Sequence, residues 1–176
     1  TSVAVMSGEI HDEHPFATPS DLRDPIRQFR GRLAAPVTVV TAGGPDNRTG
    51  LTVSSLLVAE GDPGHVHFLA GTATDVWDTI GETGAFIVHI LERGFREISD
   101  RFAGIRPSPG GLFADIEVTD TPYGPEITRL GTRAYCRYDG SREESYHALV
   151  HGRIEKVTLH DLTEPLRYFR GEYFTG

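Results

Sequence analysis

Three hydroxyl side chains interrupt a stretch of the sequence that otherwise has the composition of a buried strand. Thr52, Ser54 and Ser55 lie in the first half of residues 50–58 (GLTVSSLLV), beside Val53. A buried hydroxyl costs free energy unless it finds a hydrogen-bond partner. The pattern therefore predicts a strand with hydroxyls and backbone groups that meet a polar partner.

A second polar segment joins a predicted strand to a predicted helix. Residues 69–79 (LAGTATDVWDT) hold a strand end, a glycine, two threonines and a helix start. Backbone N–H groups at a helix N-terminus, with threonine hydroxyls beside them, form a natural phosphate site. The charge of Asp75 opposes this interpretation, and taken alone the segment is explained better as an ordinary capped helix.

Histidines recur along another predicted strand, residues 145–157 (SYHALVHGRIEKV). Alternation places His147 and His151 on the face opposite Ala148 and Val150. This histidine face is either half-exposed surface or part of a site, and the spacing fits both. Gly152 in the middle of the strand indicates a bulge or a close backbone approach.

Metal and nucleophile chemistry has weaker support. His11 and His14 suit one helical face, and His65 and His67 suit one strand face. A catalytic zinc site needs three protein ligands, so we expect no native metal site. The sequence has no G-x-S-x-G turn, P-loop or G-x-G-x-x-G turn. Cys136, the only cysteine, is expected to be a small buried thiol rather than a nucleophile.

The elements that would position these residues are mostly strands joined by turns. Three short helices are predicted, over 25–34, 74–84 and 94–104. Six strands are predicted, over 36–42, 50–58, 64–71, 85–91, 133–138 and 145–159. A seventh, short strand is expected in the irregular segment 104–125. The first two strands should form one hairpin and the last two another. This order favours an all-β antiparallel barrel over a parallel α/β sheet.

Length and composition bound the class of protein. The 176 residues fit one domain with a real core. Residues 1–20 show no sustained period and predict a flexible N-terminal arm, which leaves 21–176 as the domain. The net charge of −8 argues against a nucleic-acid or anionic-membrane binder. The single cysteine and the lack of a secretory pattern at the N-terminus predict a cytoplasmic protein.

Taken together, the motifs resemble the flavin reductase-like family, the FMN-binding split barrels that serve two-component monooxygenases. The resemblance covers about residues 26–174, and it depends on order and spacing because no single motif is specific. The motifs are FRGRLAAPVTVVTA (29–42), GLTVSSLLVAEGDPGHVHFLA (50–70), TATDVWDTIGETGAFIVHILERGFREISDRFAG (72–104), SYHALVHGRIEKV (145–157) and PLRYFRGEYF (165–174).

The resemblance implies a homodimeric split barrel and an NAD(P)H-dependent flavin reductase. Hydride would pass from NADH or NADPH to FMN, or to FAD, and the reduced flavin would reach a partner oxygenase. The flavin-binding positions implied are Thr52, Val53, Ser54, Ser55, Ala70, Thr72, Ala73, Thr74, Arg101, Phe102, Tyr168, Arg170 and Tyr173. His147 is the catalytic candidate, because it would orient the nicotinamide or an edge of the flavin.

The chain departs from the family pattern at the phosphate turn. Residues 70–73 lack the Asn and two serines that often follow the third strand, and Asp75 stands where a hydroxyl residue is common. These changes predict weaker flavin binding. Three alternatives stay open: a tight flavoprotein for electron transfer or sensing, a protein with another cofactor in the same cleft, and a binding module without redox chemistry.

Overall fold

A computed structural model of the chain describes residues 24–174. The predicted arm, residues 1–20, lies outside the described residues. Three α-helices are present in this range: α1 (Pro25–Gly31), α2 (Asp75–Thr83) and α3 (Arg96–Phe102), the last preceded by a 3-10 turn (Arg93–Phe95). None of these helices is long and apolar enough to cross a membrane.

Antiparallel strands form the rest of the regular structure. They are β1 (Ala35–Pro36), β2 (Thr38–Ala42), β3 (Thr49–Val53), β4 (Leu57–Ala59), β5 (His65–Gly71), β6 (Ala85–Ile90), β7 (Val118–Thr121), β8 (Gly124–Ile127), β9 (Arg133–Glu144), β10 (His147–Thr158), β11 (Arg167–Phe169) and β12 (Glu172–Phe174).

One seven-stranded sheet carries the fold, in the order β3-β2-β6-β9-β10-β5-β4. Two smaller sheets flank it, β1-β11-β12 and β7-β8. The predicted fold class, mostly antiparallel β with a few short helices, is confirmed. The sheet is consistent with a split barrel because β3 and β4, its two edge strands, are joined by only three residues.

Local sequence explains the helix boundaries. Asp24 caps α1, since its carboxylate accepts a hydrogen bond from the Ile26 N–H at 2.9 Å, and Pro25 occupies the first turn. The predicted end of this helix at residue 34 was three residues too late. The second helix ends where predicted, because Gly84 adopts a left-handed conformation with φ of 71°.

Strand β2 is buried along its whole length because apolar layers cover both of its faces. Val40 belongs to a core cluster with Phe68 and Phe86. Val39 belongs to a second cluster with Phe102. A strand covered on both faces is expected to be rich in β-branched residues, as this one is.

The two threonines of β2 are buried, and both hydroxyls have partners. Thr38 donates to the Val53 carbonyl at 2.7 Å, and Thr41 donates to the Pro125 carbonyl at 2.6 Å. These bonds tie β2 to β3 on one side and to the β7-β8 hairpin on the other. Hydroxyls in an apolar strand are therefore used here for internal connections.

Gly152 lies at a bulge, one of the two features predicted for it, and the group that approaches it closely is a side chain rather than backbone. The pairing of β10 with β9 shifts register between His151 and Gly152. A Cβ at Gly152 would lie 2.3 Å from the Phe86 Cζ atom, so the ring of Phe86 requires a glycine here.

Several predicted boundaries were wrong for physical reasons. The predicted strand 36–42 is split at Val37, whose N–H donates to the Leu166 carbonyl of the C-terminal segment. The last large hairpin turns at residues 145–146, not over 139–144, because Asp139-Gly140 forms a bulge within β9 instead of a turn. Residues 104–125 lead into two short strands, β7 and β8, where one was expected.

His89 is a fully buried histidine that bridges three strands. Its Nδ1 lies 3.1 Å from the Val39 carbonyl, and its Nε2 accepts the Ile127 N–H at 3.1 Å. Nδ1 therefore carries the proton and the ring is neutral. Burial lowers the pKa of His89 from 6.5 to about 3.

We expect this neutral histidine to make stability fall as the pH drops from about 6.5 towards about 3. Over that range the unfolded chain binds a proton at His89 and the folded chain does not, so protonation favours unfolding. At about pH 4.5, His89 should lower the free energy of unfolding by about 2 to 3 kcal/mol relative to neutral pH. Urea unfolding of the wild type and of His89→Gln at stepped pH measures it, since glutamine carries no charge. Equal pH slopes for the two proteins would contradict this role.

Candidate functional site

The predicted polar strand leaves the sheet after Val53. Residues 54–56 cross to β4, which pairs with β5 at the opposite edge of the sheet. The single strand predicted over 50–58 is thus two strands. Leu57 and Val58, expected to be buried, are 68 % and 60 % exposed because β4 is an edge strand.

The three hydroxyls of this segment have different environments. Thr52 donates to the Ser99 carbonyl at 2.6 Å, and Ser55 accepts the Leu69 N–H at 3.0 Å. Ser54 is exposed, and its side chain makes no hydrogen bond with the described residues. Two of the hydroxyls therefore stabilise the protein itself, and Ser54 keeps both a donor and an acceptor for a ligand.

The phosphate-like turn and His147 lie beside this crossing. Gly71 at the end of β5 pairs in register with His147 at the start of β10. Thr72 and Ala73 are exposed, and the Thr74 hydroxyl donates to the Gly71 carbonyl at 2.7 Å instead of capping α2.

The Ser55–Leu69 bond and the Gly71–His147 pairing therefore bring together the segments that hold several predicted site residues, which we call the rim. Ser55 belongs to it through its bond to Leu69, two residues before Gly71. The rim consists of Ser54, Ser55, Thr72, Ala73 and His147.

A cleft of about 450 Å³ opens between the β2–β3 turn and the first turn of α2, and no rim residue lines it. Asp75 and Asp78 line it from α2, and Arg48 lines it from the turn. The guanidinium of Arg48 pairs with Asp120 at 2.6 and 2.9 Å, and this hydrogen bonding raises the pKa of Arg48. Sequence reasoning missed this cleft, because residues 43–49 show only the composition of a turn.

The tail residues Tyr168 and Tyr173 form a separate cluster against α3. Their rings stack with centroids 4.4 Å apart, and the Tyr173 hydroxyl donates to the Asp100 carboxylate. The Arg96 guanidinium lies 4.5 Å from the centroid of the Tyr173 ring. Burial, followed by the bond to Asp100, raises the pKa of Tyr173. The tail residues were predicted to border the ligand, whereas here their contacts join them to α3.

Other predicted site residues have side chains directed into the protein. Val53, Ala70 and Phe102 belong to the core, with at most 3 % exposure. A Cβ at Gly50 would lie 2.6 Å from the Phe102 Cε1 atom, so this ring packs against the β3 backbone. Only backbone atoms of Val53 and Ala70 are left to meet a ligand.

The two arginines of the prediction also have contacts within the chain. Arg101 donates through Nη1 to the Ala114 carbonyl at 2.5 Å. Arg170 is exposed, and its backbone N–H donates to the Gly31 carbonyl at 2.8 Å. Within residues 24–174, these hydrogen bonds connect neither arginine to a residue of the rim.

The cysteine and the histidines considered from sequence as a nucleophile and as metal ligands have clear surroundings in the structure. Cys136 is fully buried, and burial raises the pKa of its thiol to about 12, so it is a poor nucleophile at neutral pH. His65 and His67 lie on one face of β5, and His151 of the paired strand β10 has its ring centroid 4.6 Å from that of His67. Among residues 24–174, no group of three His, Cys, Asp or Glu side chains is arranged to hold a metal ion.

A protein-family model described as flavin reductase like domain matches residues 30–176. The match covers most of the chain, including every residue of the rim. It begins within α1 and extends through the C-terminal hairpin.

Individual relatives cover similar lengths. The reductase component of 4-hydroxyphenylacetate 3-monooxygenase from Thermus thermophilus is 26 % identical, over 86 % of this chain and 95 % of that protein. The FMN reductase (NADH) RutF of Stutzerimonas stutzeri is 23 % identical, over 86 % and 87 %. The crystal structure of a nitrilotriacetate monooxygenase component B homologue from Mycobacterium thermoresistibile is 26 % identical, with a TM-score of 0.75 over 85 % of each chain.

We expect the two serines of the crossing to differ when each is replaced by alanine. Ser55→Ala should lower the free energy of unfolding by about 1 to 2 kcal/mol, because the Leu69 N–H loses its partner. Ser54→Ala should change it by less than about 0.5 kcal/mol, as for an exposed side chain without a partner. Urea unfolding measures both, and equal losses would contradict the assignment of Ser55 as the residue that joins the sheet edges.

Proposed function

The chain belongs to the flavin reductase-like family, and on that basis we propose that it is an NAD(P)H:flavin oxidoreductase. FMN is the flavin proposed first, with FAD as the alternative, and NADH or NADPH is the reductant. The observation that carries the proposal is the exposed Ser54 hydroxyl, free to bind a ligand, on the same rim as residues 72–73 and His147.

The donor set of the rim fits a flavin. The flavin ring has an edge of carbonyl and nitrogen acceptors with one N–H donor, and Ser54 can both donate and accept. Leu69, 38 % exposed beside Ser55, supplies apolar surface for a ring face. Thr72 offers a hydroxyl at the start of the turn that precedes α2, where backbone N–H groups favour a phosphate.

The charges near the turn favour weak flavin binding. Asp75 and Asp78 place two carboxylates in the first turn of α2, where they oppose an anion. Arg48 faces the same cleft, but its charge is paired with Asp120. Weak, reversible binding suits a protein that releases its reduced flavin, so we propose that flavin is a substrate rather than a permanently bound group.

Catalysis in such a site needs orientation more than acid–base chemistry. When bound, the flavin supplies an acceptor for the nicotinamide hydride at N5. Ser54 would fix the polar edge of the ring, and the exposed His147 would orient the nicotinamide or a flavin edge. Holding two reactants in an attack-ready geometry can supply much of the rate enhancement.

We also propose that the reduced flavin passes to a separate flavin-dependent oxygenase. The Thermus thermophilus relative is named as the reductase component of a monooxygenase, which supports this partner. We propose a cytoplasmic location, which suits NAD(P)H chemistry and the free, buried thiol of Cys136.

Steady-state oxidation of NADH, with and without added FMN, tests the proposed function. We expect consumption that rises and saturates with FMN, because the flavin is a reversibly bound substrate. Protein that purifies yellow and does not respond to added FMN would favour the tight flavoprotein instead. No consumption and no flavin binding by folded protein would overturn the proposal.

His147→Ala tests the catalytic assignment within that assay. It should lower turnover more than it changes the FMN dissociation constant, because His147 orients the reactants. His151→Ala is the matched control, because His151 lies on the same strand and face but pairs with His67 instead of Gly71. Equal turnover in His147→Ala and wild type would remove His147 from the site.

We further propose a homodimer in which a second copy covers α1. Two apolar side chains of the helix are exposed one turn apart, Ile26 (76 %) and Phe29 (70 %). Leu33, just beyond the helix and about one turn further, is 58 % exposed. A stripe of this kind, with no buried residue on the helix, is typical of an interface.

Sedimentation equilibrium measures this assembly. We expect about twice the chain mass of 19.3 kDa for the wild type, and a shift towards monomer for Phe29→Glu because a charge would be buried. Leu159→Glu, at a side chain 82 % exposed on another part of the surface, is the control and should stay dimeric. A monomeric wild type would contradict the proposal.

A further inference from the structure

Hydrogen bonds on the two sides of Ser99, one to its hydroxyl and one to its carbonyl, link the C-terminal hairpin to the strand that leads into the rim. It begins at the Tyr173 hydroxyl, which donates to the Asp100 carboxylate and lies 2.9 Å from the Ser99 Oγ atom. A phenol has one proton and an ionised carboxylate only accepts. The proton therefore lies on the bond to Asp100, and Ser99 donates to the Tyr173 oxygen.

Ser99 carries the path onwards to β3. Its carbonyl accepts the Thr52 hydroxyl at 2.6 Å, and the residue is completely buried. Thr52 precedes Ser54 by two residues, and β3 ends between them at Val53. The backbone that presents Ser54 is thus held at one point by α3, and α3 is held by the tail.

The rest of the hairpin is arranged to keep Tyr173 in this position. Tyr168 stacks on its ring with an interplanar angle of 22°, and Arg96 lies over the ring. Tyr168 also pairs in register with Ala35 of β1. Asp100 is 7 % exposed, and Arg96 and Arg106 lie 3.9 and 3.8 Å from its carboxylate. A buried carboxylate with two cations and a phenol around it is a strong, directional anchor.

This geometry leaves Tyr173 and Thr52 without a hydrogen-bond donor for a ligand. The one proton of each hydroxyl is already used within the chain. Both residues are ligand-binding candidates from sequence, and their internal contacts are compatible with an indirect role.

We propose that docking of the C-terminal hairpin positions the rim for flavin, with Tyr173 acting as a positioning residue through Ser99 and Thr52. The inference rests on the proposed function. Because coupling between two equilibria is reciprocal, flavin binding also stabilises the docked hairpin. Undocking lets β3 shift at Thr52 and weakens flavin binding without removing any group that touches the flavin.

A double-mutant cycle on the FMN dissociation constant of the full chain tests this path. Tyr173→Phe and Thr52→Val should each raise the constant by roughly three- to tenfold, as expected for one lost hydrogen bond. In the Thr52→Val background, Tyr173→Phe should have no further effect because the path is already broken. Additive effects of the two substitutions would overturn the inference.

A matched control separates this path from general loss of stability. Tyr123→Phe also removes a phenol bond, to Glu155 at 2.7 Å, at a place outside the rim and the tail cluster. It should leave the FMN dissociation constant unchanged. Equal weakening by Tyr123→Phe would overturn the inference, as would a fall in kcat with an unchanged KM for FMN in Tyr173→Phe.

Amide hydrogen exchange of residues 167–174 gives a readout of the reciprocal effect. FMN should slow exchange in this hairpin in the wild type, and the slowing should be lost in Thr52→Val. Ser99→Ala removes the hydroxyl that joins Ser99 to Tyr173, keeps the Ser99 carbonyl for Thr52, and replaces Tyr173→Phe in the cycle if that variant does not fold. Failure of the wild type to bind FMN would overturn the proposed function and this inference together, whereas FMN binding with unchanged exchange would overturn the inference alone.

Discussion

The hydrogen bond between the Ser55 hydroxyl and the Leu69 N–H is the interaction on which the site depends. It joins the segment after β3, at one edge of the sheet, to β5 near the other edge. Because the chain must bend to make this contact, β3 ends at Val53 and Ser54 turns to solvent. The same bend brings the crossing next to Gly71, and through Gly71 next to His147. The rim is therefore a result of how the sheet closes.

Polar side chains within the apolar strands have two uses in this protein, and partners decide between them. Thr38, Thr41 and His89 are buried and hydrogen-bonded, so they specify how β2, β3, β6 and β8 fit together. A buried polar group with all its partners supports a unique arrangement, and one without them is costly. Ser54 differs because it is exposed and its hydroxyl makes no bond with the described residues. Availability for a ligand, rather than polarity, distinguishes a site residue here.

In the proposed site, the charges around the rim would set the strength of flavin binding rather than its location. Asp75 and Asp78 lie where the N-terminus of α2 would otherwise favour a phosphate. Arg48, which lines the cleft beside the first turn of α2, has its charge paired with Asp120. A reductase that must exchange its flavin gains from such a balance, because tight binding of substrate and product would slow release. The role proposed for the tail cluster would add a second control, because its contacts with α3 reach the strand that precedes Ser54.

The sequence by itself determined the class of fold, the family, most element positions and the segments that form the rim. Its indications were local: Asp24-Pro25 begins a helix, Gly84 ends one, and Gly152 leaves room for the Phe86 ring. Each of these depends on neighbours in the chain or on the size of one residue. Only the tertiary structure decided which hydroxyls are available. Thr52 finds its partner 47 residues away and Tyr173 finds Asp100 73 residues away. Likewise, Asp139-Gly140 has the composition of a turn, and only its pairing with β10 makes it a bulge. Such outcomes depend on strand register and on contacts between distant segments, which local composition does not encode.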